Sequence, residues 1–214
     1  MSIASAIRYL KQELPSTVQL VAVSKFKPVE DILEAYQAGQ RDFGENRPQE
    51  LAAKAPALPA DIRWHFIGHL QTNKVKMVVP YATMIHSVDS ERLLAEIDKT
   101  ARALGKRMDI LLEVHIANEQ TKQGFLPEEA EALATRIDAY PDVRLRGVMG
   151  MATFTDDMEE VRREFHRLKT LSLRLSSIPD CDQVSMGMSE DWPVAVEEGT
   201  TIVRIGTFIF GKRN

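Results

Sequence analysis

A single cysteine, Cys181, in 214 residues excludes an internal disulfide and any metal cage built from several thiolates. Cys181 itself reads as an ordinary loop thiol. Basic charge is not in surplus either: 27 Lys and Arg stand against 31 Asp and Glu, a formal net charge of -4. That balance gives no global electrostatic footprint for nucleic acid, although a local basic patch stays open. No apolar run approaches the roughly 20 residues of a membrane span. The N-terminal stretch MSIASAIRYLKQELP interrupts Ile3, Ile7, Leu10 and Leu14 with Arg8, Lys11 and Glu13. This is the pattern of an amphipathic helix, whereas a secretory leader needs unbroken apolar sequence. No linker divides the chain, so residues 1–214 are expected to form one domain with a sizeable core. A cytoplasmic protein, without nucleic-acid or membrane partners, is the expectation.

What the sequence does contain is an alternation of short apolar runs with longer amphipathic ones, the signature of a parallel sheet with crossover helices. Strands are expected near 17–24, 41–45, 62–67, 83–88, 109–116, 143–150, 182–186 and 201–206. Between them, SERLLAEIDKTARALG sets Leu93, Leu94, Ile97, Ala101 and Leu104 on one stripe, with Gly105 as its stop. MEEVRREFHRLKTLSLRL does the same with Val161, Phe165, Leu168, Leu171 and Leu175. Eight such units in a short chain predict a compact (β/α)8 TIM barrel preceded by an additional N-terminal helix. An open doubly wound sheet is the alternative, but it would place a glycine-rich turn after the first strand, and SKFKP has none.

In a barrel the chemistry gathers where strands end and βα loops begin. VAVSKFKP puts Lys25 at such an end, just before PVEDILEAYQAG turns helical. An isolated lysine there is ordinarily a solvated or ion-paired side chain. Partial burial at the mouth would favour its neutral amine, the form that attacks an aldehyde. Lys27 either adds a neighbouring cation or lies in solvent. After the last two strands, Ser185, Gly187, Ser189, Gly206 and Thr207 bring small residues and hydroxyls together, either as plain turns or as the phosphate site common at this position in barrels. Lysine and phosphate site together describe a ligand with an aldehyde at one end and a phosphate at the other, the shape of pyridoxal 5'-phosphate. Arg204 interrupts the apolar run TIVRIG and, once buried, demands a partner. The candidates are the ligand's phosphate, its ring nitrogen, or a barrel carboxylate such as Glu113. Arg204 opposite the ring nitrogen would hold that nitrogen unprotonated and weaken the ring as an electron sink.

Other groups carry less. His65 and His69 are four apart, but on a strand that spacing separates them by about 13 Å, too far to share a metal. GMSED lacks the closing glycine of a nucleophile elbow. Asn46 and Asn73 sit in polar turns, and Met149, Met151, Met186 and Met188 lie near strand ends as core or as a soft wall for an aromatic ring.

The segments VAVSKFKP, DFGENRPQE, WHFIGHLQTNK, HSVD, RGVMGMATFTDD, SMGMSEDW and VRIGTFIFG, spread in order over residues 17–211, resemble those of the pyridoxal phosphate homeostasis proteins, single-domain relatives of the alanine racemase barrel. The resemblance implies a modified TIM barrel like the N-terminal domain of alanine racemase, with pyridoxal 5'-phosphate as an internal aldimine on Lys25. It implies that Ser185, Gly206 and Thr207 help hold the phosphate. Arg204 would lie against the cofactor, with the ring nitrogen as its preferred contact, and Asn46 would share the pocket. Family members commonly carry an aromatic residue after GEN; this chain has Arg47.

An amino-acid racemase needs a second base across the substrate from the lysine. In the racemase relatives an additional β domain and a partner subunit supply it, whereas this sequence ends at FGKRN after the eighth strand. The expectation is a monomeric coenzyme carrier or buffer in vitamin B6 homeostasis, with pyridoxal-phosphate-dependent apoenzymes as possible recipients. A slow racemase-like enzyme is the alternative, and a partner-binding scaffold the third reading.

Overall fold

Strands covered on both faces favour apolar, β-branched residues, and LVAV near the start of the chain and the Ile and Val of IVRI near its end supply them. The computed structural model describes residues 1–117 and 123–211. Its strands are β1 (Gln19–Val23), β2 (Asp42–Glu45), β3 (Arg63–Phe66), β4 (Ala82–Val88), β5 (Met108–Glu113), β6 (Val143–Met149), β7 (Gln183–Ser185) and β8 (Ile202–Ile205). Each pairs in parallel with the next. β8 returns to β1, with Leu20 opposite Val203 and Ala22 opposite Ile205, so the sheet closes into a barrel. All the strands expected from the sequence are present. The largest boundary difference is at β5, which stops at Glu113; the next residue, Val114, forms an isolated bridge with Phe125.

The helices are α1 (Ile3–Glu13), α2 (Val29–Gln37), α3 (Pro48–Lys54), α4 (Val75–Val78), α5 (Glu91–Ala103), α6 (Pro127–Ala134), α7 (Met158–Arg174), α8 (Trp192–Glu197) and α9 (Thr207–Phe210). Their starts are chemically marked. The Ser90 hydroxyl accepts the Leu93 N–H at the head of α5, and the Asp157 carboxylate accepts those of Glu159 and Glu160 at the head of α7. The expected stripes face inward at Leu93, Leu94, Ile97 and Ala101 of α5 and at Val161, Phe165, Leu168 and Leu171 of α7, with Leu175 just beyond it, all buried; Leu104 differs and is exposed, because α5 ends at Ala103 and leaves it as the cap. The N-terminal α1 buries Ile7 and Leu10 and packs on α2 and α9, where Tyr9 stacks on Phe208 at 5.7 Å.

Side chains alternate along each strand between this outer core and the barrel interior. Val21, Met84, Leu111, Met149 and Ile202 form a small apolar cluster separate from the outer one. Polar side chains are buried as well: Asp42, His65, His86, Ser185 and Arg204. Cys181 is buried too, and that burial pushes its thiol up to about 11, so it stays protonated and unreactive. Among the described residues no helix is long and apolar enough to cross a membrane.

Candidate functional site

Lys25 lies two residues past the end of β1, at the C-terminal rim of the barrel. Both its neighbours are clamped. On one side, the Ser24 hydroxyl donates to Glu45 Oε1 at 2.7 Å. On the other, the Phe26 N–H donates to Glu50 Oε2 at 2.8 Å, and Phe26 holds a left-handed φ of 63°, which costs a residue with a Cβ about 1 kcal/mol or more. Lys54 joins the two sides: its Nζ donates to Glu45 Oε1 at 2.8 Å, to Glu50 Oε2 at 3.0 Å and to the Ser24 carbonyl at 3.0 Å. Glu45 is fully buried, and burial pushes its carboxyl up against the lowering effect of Lys54 and Ser24. Lys27 takes the solvent-side alternative of the sequence reading only in part: its Nζ donates to the Phe210 carbonyl at 2.7 Å.

The rim encloses a cavity of about 280 Å³. Lys25, Asn46, Ile67, Ser189, Arg204 and Thr207 line it, joined by Met151, Thr153 and Phe154 from the segment between β6 and α7 and by Met158 and Val161 from α7 itself. Asn46 Oδ1 is buried there without a hydrogen-bond partner, an acceptor whose isolation costs about 1–3 kcal/mol until a ligand donor meets it. The Asn46 backbone packs closely on the turn after β3 because that turn holds Gly68: a Cβ there would come 2.2 Å from the Asn46 carbonyl oxygen. Arg47 points outward, with its guanidinium 4.3 Å from the centre of the Phe26 ring, so a cation covers the ring beside Lys25.

Arg204 forms part of the cavity floor. Nη1 donates to Ser185 Oγ at 2.5 Å and Nη2 to the Gly150 carbonyl at 3.0 Å. Burial draws its pKa down to about 10, which leaves the guanidinium charged at neutral pH. Glu113 is not its ion-pair partner: the charges interact only at a distance, and the two hydrogen bonds above go to neutral acceptors.

The structure therefore brings together five of the six residues singled out in the sequence, Lys25, Asn46, Arg204, Gly206 and Thr207, around one cavity. Ser185 differs. It belongs to β7, is fully buried, and spends its hydroxyl on Arg204 and His86 beneath the floor. The serine at the mouth is Ser189, whose Oγ accepts the N–H groups of Gly206 and Phe208, both at 3.3 Å. Two backbone donors thus converge on one oxygen at the edge of the cavity. The Glu45, Glu50 and Lys54 clamp escaped the sequence reading; the i, i+4 spacing of Glu50 and Lys54 was its only local signal. His65 and His69 are apart as expected: His65 is inside the barrel, and His69 pairs with Asp89 at 3.1 Å on the surface.

Glu113, at the top of β5, is buried, and desolvation together with the nearby Asp89 raises its pKa to about 7. A carboxyl raised this way favours the folded state only while protonated. Stability is retained below its ordinary value of 4.5 and is forfeited as pH climbs toward 7. Urea unfolding should show the protein about 3 kcal/mol less stable at pH 8 than at pH 4.5 through this group, and Glu113→Gln should flatten that slope. Parallel pH profiles for the two proteins would refute the assignment.

Comparison with known proteins agrees with this geometry. The family described as "Alanine racemase, N-terminal domain" matches residues 2–214. A pyridoxal phosphate homeostasis protein of Vibrio alginolyticus is 42% identical over 221 residues, covering 99% of this chain and 95% of that one. PipY of Synechococcus elongatus PCC7942, solved without PLP, superimposes with a TM-score of 0.93 at 40% identity, covering 98% of this chain and all of that one. The same protein with PLP bound gives 0.89 at 39% identity and the same coverage. Similarity of this length and level, over a barrel whose mouth is built from the segments quoted above, places the chain in the pyridoxal phosphate homeostasis protein family, with the fold of the alanine racemase N-terminal domain.

Proposed function

We propose that the barrel mouth binds pyridoxal 5'-phosphate, that Lys25 holds it through a reversible imine, and that the chain stores the coenzyme and hands it to apoenzymes. The carrying observation is Lys25 on the wall of a cavity whose other surfaces include the charged floor of Arg204 and the hydroxyl edge of Ser189 and Thr207. The solved relative with PLP bound supports the same ligand. The residues fit such a molecule: the buried, unpartnered Asn46 Oδ1 awaits a donor, and the amides converging near Ser189 suit phosphate oxygens.

When bound, the coenzyme supplies an aldehyde that amines capture and a pyridine ring that withdraws electrons. The Lys25 amine condenses with the aldehyde and releases one water, and the reverse hydrolysis frees the coenzyme for delivery. Clamping Ser24 and Phe26 keeps that amine at the rim. Arg204 carries only donors, so a ring nitrogen set against it has to accept and stays unprotonated. That restrains the electron-withdrawing power catalysis would need and suits a carrier better than a racemase. The other titratable side chains on the cavity wall are Glu190 and Asp191, and Asp191 is engaged with the Met188 N–H at 2.5 Å. All these residues come from one chain, so a monomer suffices, and a near-neutral surface with one buried thiol suits the cytoplasm.

Borohydride reduction of the loaded protein followed by peptide mapping tests the reading: the label should fall on the peptide carrying Lys25. A label elsewhere, or none, overturns it. Incubation with a panel of L-amino acids separates carrier from enzyme, since turnover far above that of the free coenzyme and dependent on Lys25 would defeat the carrier. Ser189→Ala combined with Thr207→Val removes hydroxyls from the phosphate edge. With each hydrogen bond to a charged group contributing about 1.5–3 kcal/mol, retention in equilibrium dialysis should fall by about tenfold or more.

A further inference from the structure

Beneath the cavity floor, a file of buried polar side chains crosses the inside of the barrel from β2 to β8. Asp42 Oδ1 lies 3.1 Å from His65 Nε2, His65 Nδ1 lies 2.9 Å from His86 Nε2, and His86 Nδ1 lies 3.0 Å from Ser185 Oγ. Ser185 Oγ then receives Arg204 Nη1 at 2.5 Å. His86 and Ser185 are at most 1% exposed, His65 is 2%, and both ends of the file are nearly as enclosed. Only Arg204 among them reaches the cavity.

The two ends fix every proton between them. Arg204 has donors alone, so Ser185 accepts from it and turns its own O–H toward His86 Nδ1. His86 then carries its proton on Nε2 and donates to His65 Nδ1, and His65 donates from Nε2 to Asp42. Asp42 can only accept while ionised. Burial works to raise it, yet the donors His65 and Arg63 hold it at about 2. The competing arrangement, a doubly protonated His65, would reverse His86 and leave the Ser185 O–H without an acceptor in a fully buried site. An orphaned buried donor is strongly disfavoured, because nothing in the site replaces its lost hydration. Burial above all drives His86 well below its ordinary range, consistent with a neutral ring.

We propose that Asp42, His65, His86 and Ser185 form a one-directional hydrogen-bond relay that positions Arg204 against the ligand, so that two histidines remote from the mouth govern how tightly and in what electronic state the coenzyme is held. This rests on the coenzyme reading of the mouth. The histidines are positioning residues. They touch no ligand, and they act by fixing the Ser185 hydroxyl to accept from Nη1, which aims the rest of the guanidinium upward.

The test has two arms. In the ligand-free wild-type protein, side-chain 15N NMR should show both imidazoles as neutral Nε2–H tautomers, with slowly exchanging Arg204 guanidinium protons. An Nδ1–H tautomer or an imidazolium at either ring overturns the relay without any variant having to fold. In the second arm, His65→Leu interrupts the file two links from Arg204, while His65→Gln retains a donor and an acceptor. The leucine variant should shift the visible band of the loaded protein and weaken coenzyme retention by about tenfold, and the glutamine variant should recover most of both. A lower melting temperature for His65→Leu with unchanged band, affinity and Arg204 exchange would assign the histidines to packing alone and sink the proposal. Should the wild type take up no coenzyme, the reading of the mouth falls, while the tautomers and the Arg204 protons still decide the relay.

Discussion

Lys25→Ala protein should emerge from coenzyme loading and borohydride reduction unlabelled, and should lose the coenzyme to dialysis. The effect is expected to be large because a covalent bond is replaced by a phosphate contact and a ring contact, with a fall in retention of at least about 100-fold, or about 2.7 kcal/mol. Neighbouring lysines cannot substitute. Lys27 is tied to the Phe210 carbonyl, and Lys54 lies buried among Ser24, Glu45 and Glu50. Lys25→Arg sharpens the experiment: it restores the positive charge but offers a guanidinium that cannot be deprotonated. It should be as unlabelled as the alanine variant. Undiminished labelling in either protein would move the linkage to another residue and remove the basis for the carrier reading.

The barrel was legible because closing a parallel sheet leaves its mark on every strand. A strand covered on both faces is mostly apolar, as β1, β5 and β8 are, and the intervening helices each show one buried stripe, so the alternation stood out against the polar connections. Lys25 was legible for the same reason, as a charged residue where an apolar run stops. Which of the two nearby serines lines the cavity was not legible: Ser189 does and Ser185 does not. Ser185 and Ser189 look alike in SMGMS, but between them Gly187 adopts a φ of 93° and turns the chain out of β7. Ser185 therefore points into the barrel beneath Arg204, and Ser189 reaches the mouth. Nothing in residue type distinguishes the two, because the difference lies in the path of the backbone. The partner of His65 was hidden in a related way. Its sequence neighbour His69 faces out to Asp89, whereas its real partner His86 sits on the next strand, brought alongside by the pairing of β3 with β4. Contacts of that kind depend on strand register, which a single sequence does not display.

The clamp under Lys25 gives the other large expectation. Lys54→Met should destabilise the fold by about 3–5 kcal/mol, the usual result of breaking a buried ion pair from one side, as measured by urea unfolding. Glu45 would keep only the Ser24 hydroxyl, and with its carboxylate stranded it would fold by taking up a proton, so the loss should deepen as pH rises above its ordinary value of 4.5. Removing the second charge as well, in Lys54→Met with Glu45→Gln, should return much of the stability, because the penalty belongs to the unpaired carboxylate more than to the pair. Coenzyme retention should not return with it. The double variant still lacks the ammonium that joins Glu50 to the Ser24 carbonyl, so Phe26 is less firmly held at its left-handed φ and Lys25 loses its fixed position at the rim. Recovery of stability and retention together would mean that Lys25 needs no such support. A loss below about 1 kcal/mol in the single variant would mean that Glu45 finds another partner.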